Sequence, residues 1–173
     1  MKCLKIFLSI AFLCLAVLTA AAEEPKKFEL TSPAFKNGEA ISDPFTCRAT
    51  DKRPQFNIAN IPEKTKSLAM IVDDPDAPEG TWVHWIVYNI PPETTEIAPN
   101  AAIGIEGLND FGAYHYRGPC PQNKKLHHYS FRLYALDREL DELNEGFIKQ
   151  DLERAMKGKI LAQAELIGTY KNK

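Results

Sequence analysis

The chain has 173 residues, of which 45% are hydrophobic and 25% are charged, and its formal net charge at pH 7 is −2. This length suits one domain with a single hydrophobic core. Lysines and acids are interspersed without a basic stripe, which argues against nucleic acid as a partner and against charge-driven docking on an anionic membrane.

The N-terminus carries the pattern of a secretory signal peptide. Met1 to Lys5 contains two lysines and no acid, Ile6 to Ala20 is almost wholly apolar, and small side chains follow up to Ala22. We predict that residues 1–22 form a signal peptide and that residues 23–173 form a single periplasmic or secreted domain. The alternative is a membrane-anchoring helix, but the apolar run of about fifteen residues is shorter than the roughly 20 that a bilayer span needs. We expect no integral span after cleavage.

The cysteines fit an exported protein. Cys3 and Cys14 lie in the predicted leader, so Cys47 and Cys120 remain in the mature chain. An exported protein with two cysteines usually pairs them, and we therefore predict a Cys47–Cys120 disulfide. The alternative is a pair of buried free thiols.

Hydrophobic patterning predicts a mainly β domain. The expected extended segments and strands are residues 28–35, 56–61, 67–72, 82–90, 129–136 and 160–170. Between them, residues 93–126 are expected to form a long loop with a short strand. Strands before and after a single helix indicate antiparallel β-sheets with that helix near the C-terminus.

The predicted helix precedes the last strand. Ile148, Leu152, Ala155 and Met156 follow one another at helical spacing, and Gly158 lies just past the end, where glycine commonly terminates a helix.

Three segments carry polar residues that could bind a ligand or take part in catalysis. Asp73 to Asp76 places acids at the end of an apolar strand, where a carboxylate must be solvated or paired. In the next strand, alternation predicts His84 on the same face as Trp82 and Ile86, with Val83, Trp85 and Val87 on the other face. The ordinary alternatives are a solvated turn for the acids and a core histidine bonded to a backbone carbonyl.

The third segment combines a proline-rich loop with the start of a strand. Gly118 to Pro121 forms a rigid loop in which glycine allows close backbone approach. If the following strand begins at His127, then His127 and Tyr129 share one face and His128 points to solvent.

In this order, Asp74 to Pro78, Trp82 to Trp85, Gly118 to Pro121 and His127 to Tyr129 resemble the signature of the phosphatidylethanolamine-binding protein (PEBP) family. The C-terminal stretch from Ala155 to Tyr170 resembles its bacterial, Raf kinase inhibitor-like branch, and the resemblance extends over residues 28–170. It implies antiparallel β-sheets with peripheral helices. It also implies a small pocket for phosphate, phosphoryl head groups or carboxylates.

The resemblance assigns roles by motif. It puts Asp74 at the pocket floor between His84 and His127, gives Tyr129 a hydroxyl that faces the ligand, and makes Gly118 and Pro119 a wall with backbone donors. The full implied ligand-binding set is Asp74, Asp76, His84, Gly118, Pro119, His127 and Tyr129. No cofactor or metal is implied.

One loop departs from the bacterial pattern. Where those members usually read Thr-Cys-Asp-Gly, this chain reads Thr46-Cys47-Arg48-Ala49, so the acid after the cysteine is absent. With Arg48 and Arg53 nearby, we predict a more cationic pocket rim.

The leading functional hypothesis is an exported, non-enzymatic protein that binds a small anionic or phosphorylated ligand and regulates a protein partner, such as an enzyme it inhibits. One alternative is a hydrolase-type enzyme using Asp74, His84 and His127, or Cys120 with His127, although no Gly-x-Ser-x-Gly nucleophile motif is present. A metal site at the same residues lacks a short-spaced histidine pair. Another alternative is an interaction protein whose pocket is vestigial.

Overall fold

The computed structural model describes residues 26–172. The predicted signal peptide, residues 1–22, lies outside this range and remains a prediction. Within the described range, no helix is both long and apolar enough to cross a bilayer.

Two antiparallel sheets form the framework. The smaller has the order β1-β2-β5 and the larger has the order β6-β4-β3-β7-β8. In chain order the elements are β1 Glu29–Thr31, β2 Phe56–Ala59, β3 Ser67–Asp74, β4 Trp82–Ile90, β5 Glu96–Ile97, β6 Ile105–Glu106, β7 Leu126–Leu136, α1 Lys149–Met156 and β8 Ile160–Lys171. A short 3₁₀ helix, Asp43–Phe45, lies between β1 and β2. The predicted mainly β architecture with a helix near the C-terminus is confirmed.

The position of β3 in the centre of the larger sheet explains why this strand is so apolar. All eight of its residues are buried, because the larger sheet is covered on both faces. Leu68, Met70 and Val72 contribute to a core shared with the smaller sheet. Ala69 and Ile71 contribute to a second core, which α1 covers with Leu152 and Met156.

Most predicted boundaries agree with the structure within a few residues. The strand predicted at 82–90 is β4 as predicted, and the loop predicted at 93–126 contains the two short strands β5 and β6. Strand β3 continues through Asp73 and Asp74. The two acids that were expected after the strand are therefore its last paired residues. Gly158, past the end of α1, has a φ of +75°, the left-handed conformation that favours glycine there.

The predicted alternation in β4 is wrong at His84. Val72 pairs with Trp85 and Asp73 pairs with Val83, so β4 has one extra residue, His84, opposite β3. Such a bulge shifts the phase of the alternation. Trp85 therefore packs in the core between the sheets, whereas Val83 and Ile86 pack in the core beneath α1.

Candidate ligand-binding site

A cavity of about 350 Å³ opens where β3 ends and β4 and β7 begin. Its floor and sides combine titratable groups with aromatic and proline side chains. The lining residues are Asp74, Ala77, Pro78, Glu79, Trp82, His84, Phe111, Cys120, Pro121, Gln122 and His127. The antiparallel pairing of β3 with both β4 and β7 brings three distant sequence segments to this one end of the sheet.

Asp74 and His127 form a buried pair. His127 Nδ1 lies 2.7 Å from Asp74 Oδ2, and the side chains are only 2% and 5% exposed. The other carboxylate oxygen, Asp74 Oδ1, accepts the backbone N–H of Asp76 at 2.9 Å. Both oxygens of this buried carboxylate are thus satisfied, as its burial requires.

The second ring nitrogen of His127 also meets an acceptor. Its Nε2 lies 3.1 Å from Asn123 Oδ1, and that oxygen also accepts the backbone N–H of Lys125 at 2.8 Å. The Lys125 contact identifies the atom facing His127 as the amide oxygen. Because carboxylate and amide oxygens accept hydrogen bonds, each ring nitrogen of His127 is placed to donate, Nδ1 to Asp74 and Nε2 to Asn123.

His84 is held differently. Its Nδ1 lies 2.7 Å from the Arg117 carbonyl oxygen, and the Arg117 backbone N–H donates to the His84 carbonyl at 3.1 Å. Burial lowers the pKa of His84 below its ordinary value of 6.5, against the opposing effects of the Arg117 hydrogen bond and the negative charge of Asp74. A neutral His84 ring therefore lines the cavity.

Tyr129 lies against both histidines without lining the cavity. Its ring meets His84 edge-on, with centroids 5.2 Å apart, and stacks on His127 at 6.5 Å. Burial, together with the charge of Asp74, raises the pKa of Tyr129. Its hydroxyl is buried, and hydrogen bonding with Asp74 adds to the rise in this pKa. Tyr129 thus packs beneath the site, and its predicted contact with the ligand remains untested.

The cavity wall is tied to the loop that follows the 3₁₀ helix. The predicted disulfide is confirmed, since Cys47 and Cys120 are bonded with their Cα atoms 5.4 Å apart. Asp51 adds a second tie, because its carboxylate accepts Arg117 Nε and the Gly118 backbone N–H, each at 2.7 Å. The loop therefore has an acid after all, four residues beyond Cys47.

These ties use backbone groups of the predicted wall, whose contact with a ligand remains a prediction. The Gly118 N–H is used by Asp51, and the Pro119 carbonyl accepts the Cys47 N–H at 3.2 Å. Neither Gly118 nor Pro119 lines the cavity, and the residues that do are Cys120 to Gln122. A Cβ on Gly118 would lie 2.2 Å from the Phe45 carbonyl oxygen, so close backbone packing explains this glycine.

The predicted cationic rim is also wrong. Arg53 is buried, donates to the carbonyls of Ala98 and Ala101, and lies 4.6 Å over the Trp85 ring. Arg48 lies at the surface and donates to Asn172. Neither arginine lines the cavity.

Asp76 supports the site from outside the cavity. Its side chain accepts the His128 backbone N–H at 2.8 Å and lies 2.7 Å from His128 Nδ1. The side-chain hydrogen bond from His128 is the main cause of the lowered pKa of Asp76. His128 is solvent-facing as predicted, with a 54% exposed side chain. Asp76 therefore orients Asp74 through its backbone rather than lining the cavity.

Some lining residues had no signal in the sequence. Phe111 comes from the long loop and meets both Trp82 and His84 edge-on, at centroid distances of 5.6 and 5.2 Å. Asn123 lies in a polar segment whose pattern gave no reason to single it out. Within residues 26–172, no cluster of three histidine, cysteine or acidic side chains is arranged to hold a metal ion.

Comparisons with known proteins agree with this architecture. The family model described as phosphatidylethanolamine-binding protein matches residues 31–171. A UPF0098 protein of Aquifex aeolicus is 45% identical over 150 residues, which is 83% of this chain and 88% of that protein. Another from Pyrococcus horikoshii is 42% identical over 160 residues, 87% of this chain and 80% of that protein.

Two solved structures have the same fold. A homologue of phosphatidylethanolamine-binding protein from Chlamydia trachomatis superimposes with a TM-score of 0.80 at 40% identity, covering 85% of this chain and 99% of its own. YbcL of Escherichia coli, described as a member of the mammalian PEBP family, superimposes with a TM-score of 0.79 at 30% identity, covering 86% and 100%.

Proposed function

This chain belongs to the phosphatidylethanolamine-binding protein family, and on that premise we propose that it is a non-enzymatic protein that binds a small phosphoryl or carboxylate group. The observation that carries the proposal is the convergence of Asp74, His84 and His127 on one cavity of about 350 Å³. Pockets from roughly 300 Å³ upward accommodate small ligands, so a head group fits this volume.

The donor that serves an anion is His127. Its Nε2–H faces Asn123 Oδ1, a neutral acceptor that an anionic oxygen outcompetes, because charge-assisted hydrogen bonds are stronger than neutral ones. Asp74 Oδ2 lies 2.7 Å from Nδ1 and fixes the orientation of the ring. The site thus supplies a fixed donor at the end of a rigid sheet.

We place the function outside the cytoplasm. The leader-like N-terminal pattern and the Cys47–Cys120 disulfide both support an oxidising compartment, periplasmic or extracellular. A protein partner whose phosphorylated or carboxylate-bearing group enters the cavity, such as an enzyme under inhibition, is part of the proposal.

The test is a calorimetric and thermal-shift titration of the purified chain from residue 23 with phosphate, phosphoethanolamine and acetate. We expect saturable binding that His127→Ala abolishes, because His127 is the donor, and that His128→Ala preserves, because His128 lies outside the cavity. If no ligand binds the unaltered protein, the proposal is wrong and the interaction-protein hypothesis replaces it.

The Asp74–His127 pair also keeps a hydrolase as the second candidate, because a carboxylate-oriented histidine is a common general base. The cavity lining contains no serine or threonine, and Cys120 is committed to the disulfide, so water would have to be the nucleophile. Hydrolysis of p-nitrophenyl phosphate or acetate that disappears in His127→Ala would favour this candidate.

A further inference from the structure

The tautomer of His84 is fixed by the backbone. A carbonyl oxygen only accepts hydrogen bonds, so the 2.7 Å contact with Arg117 O places a proton on His84 Nδ1. The reciprocal bond from Arg117 N to His84 O holds the two residues in register. In the neutral ring, the remaining nitrogen, Nε2, carries a lone pair, whereas the hydrogen bond that the ring makes within residues 26–172 is at Nδ1.

The surroundings keep this ring neutral near neutral pH. Burial lowers the pKa of His84, while the hydrogen bond to Arg117 and the negative charges of Asp74, Asp51 and Asp73 oppose that effect. The aromatic neighbours Phe111 and Tyr129 add no charge. The cavity therefore presents an acceptor at His84 and a donor at His127.

The charges of the cavity lining also favour an anion that carries a hydroxyl. The lining contains no lysine or arginine; its carboxylates are Asp74 and Glu79, and the His127 ring is the group placed to donate to an anion. An anion without any proton would direct a bare oxygen at the His84 lone pair. An anion with one hydroxyl would donate to His84 Nε2 and still accept from His127 Nε2.

We propose that the cavity selects phosphoryl groups that retain a proton on oxygen, and that His84 determines this selectivity. The inference rests on the proposed function and narrows its ligand class: among the three test ligands it favours inorganic phosphate over acetate, which has no hydroxyl, and over phosphoethanolamine, which keeps one only below its second pKa of about 6. Phosphate and sulfate make a matched pair of probes, because they have the same shape, but phosphate keeps at least one proton near neutral pH and sulfate keeps none.

The experiment compares the affinities of phosphate and sulfate by calorimetry at pH 8 and constant ionic strength. Phosphate gains a hydrogen bond to the His84 lone pair, which sulfate leaves unpaired, and this difference predicts that phosphate binds roughly tenfold tighter. In His84→Gln the side-chain amide can turn its N–H₂ toward the ligand, so the ratio should fall toward one while phosphate still binds. His128→Gln should keep the original ratio.

A second readout does not depend on any variant. Sulfate can bind well only if His84 becomes protonated, so sulfate binding should take up a proton, visible as a dependence of the heat on the ionisation enthalpy of the buffer. Phosphate binding should show less proton uptake than sulfate binding. Equal affinities with equal proton uptake would overturn the selectivity and leave the proposed function standing. Absence of binding by phosphate, phosphoethanolamine and acetate would overturn both.

Discussion

His127 Nδ1 lies 2.7 Å from Asp74 Oδ2, and this contact joins two buried side chains that are 53 residues apart in the sequence. It connects the end of β3 to the start of β7 and orients the histidine that lines the cavity. Because both side chains are almost fully buried, each depends on the other as a hydrogen-bond partner.

Replacing Asp74 should therefore destabilise the protein. Asp74→Ala leaves the His127 ring and the Asp76 N–H without their acceptor, and removal of one partner of a buried ion pair costs about 3 kcal/mol or more. Urea unfolding measures the loss. Asp141→Ala, at an exposed position, is the matched control and should change little. Equal effects of the two substitutions would contradict the assigned ion pair.

The burial of His84 should make stability dependent on pH. Its folded-state pKa lies below the ordinary 6.5, so between these two values the unfolded chain binds a proton that the folded chain does not. Above pH 6.5, His84 therefore costs no stability. As the pH drops from 6.5 toward the folded-state pKa, the free energy of unfolding falls by about 1.4 kcal/mol per pH unit.

His84→Gln removes this titration, and the variant should lose less stability than the unaltered protein between pH 7 and pH 5. Thermal unfolding across that range measures the difference. His115→Gln should behave like the unaltered protein because His115 is exposed. A His84→Gln profile parallel to that of the unaltered chain would show that His84 is not the group responsible.

Asn123 should compete with the ligand. Its Oδ1 lies 3.1 Å from His127 Nε2 and accepts the hydrogen bond that an anion would otherwise accept. Asn123→Ala should therefore tighten phosphate binding, by about threefold to tenfold for one neutral hydrogen bond. Asn123→Asp keeps the shape and adds a negative charge, so it should weaken binding. Weaker binding in Asn123→Ala would show instead that Asn123 positions the His127 ring for the ligand.

Reduction of the disulfide should affect stability and ligand binding together. Cys47 and Cys120 are 73 residues apart, and closing a loop of that length is worth about 4 kcal/mol in the chain-entropy model. A reductant should lower the melting temperature and, because Cys120 belongs to the cavity wall, weaken phosphate binding. The double variant Cys47→Ser, Cys120→Ser should be insensitive to reductant. A reductant effect on that variant would point to a cause other than the disulfide.

The sequence predicted the strands, the helix and the disulfide because each leaves a local or compositional pattern. A run such as residues 67–72 is apolar throughout because both faces of β3 are covered. It also singled out Asp74, His84 and His127, but only resemblance to a family grouped them. The ligand contacts of Gly118, Pro119 and Asp76 remain predictions, and the sequence did not show that their polar atoms are used by Asp51, Cys47 and His128, partners that no local pattern reveals.

By itself, then, the sequence determined which segments are extended, where the helix ends and which residues carry titratable groups, since side-chain periodicity and turn chemistry act over a few positions. The tertiary structure alone decided which atoms face the cavity. The bulge at His84 shifted the alternation of side chains in β4. Arg53 packs on Trp85 and not at the cavity rim. The Arg117 carbonyl fixed the tautomer of His84. These outcomes depend on hydrogen bonds and packing between residues brought together only by the sheet, and such contacts leave no trace in local order along the chain.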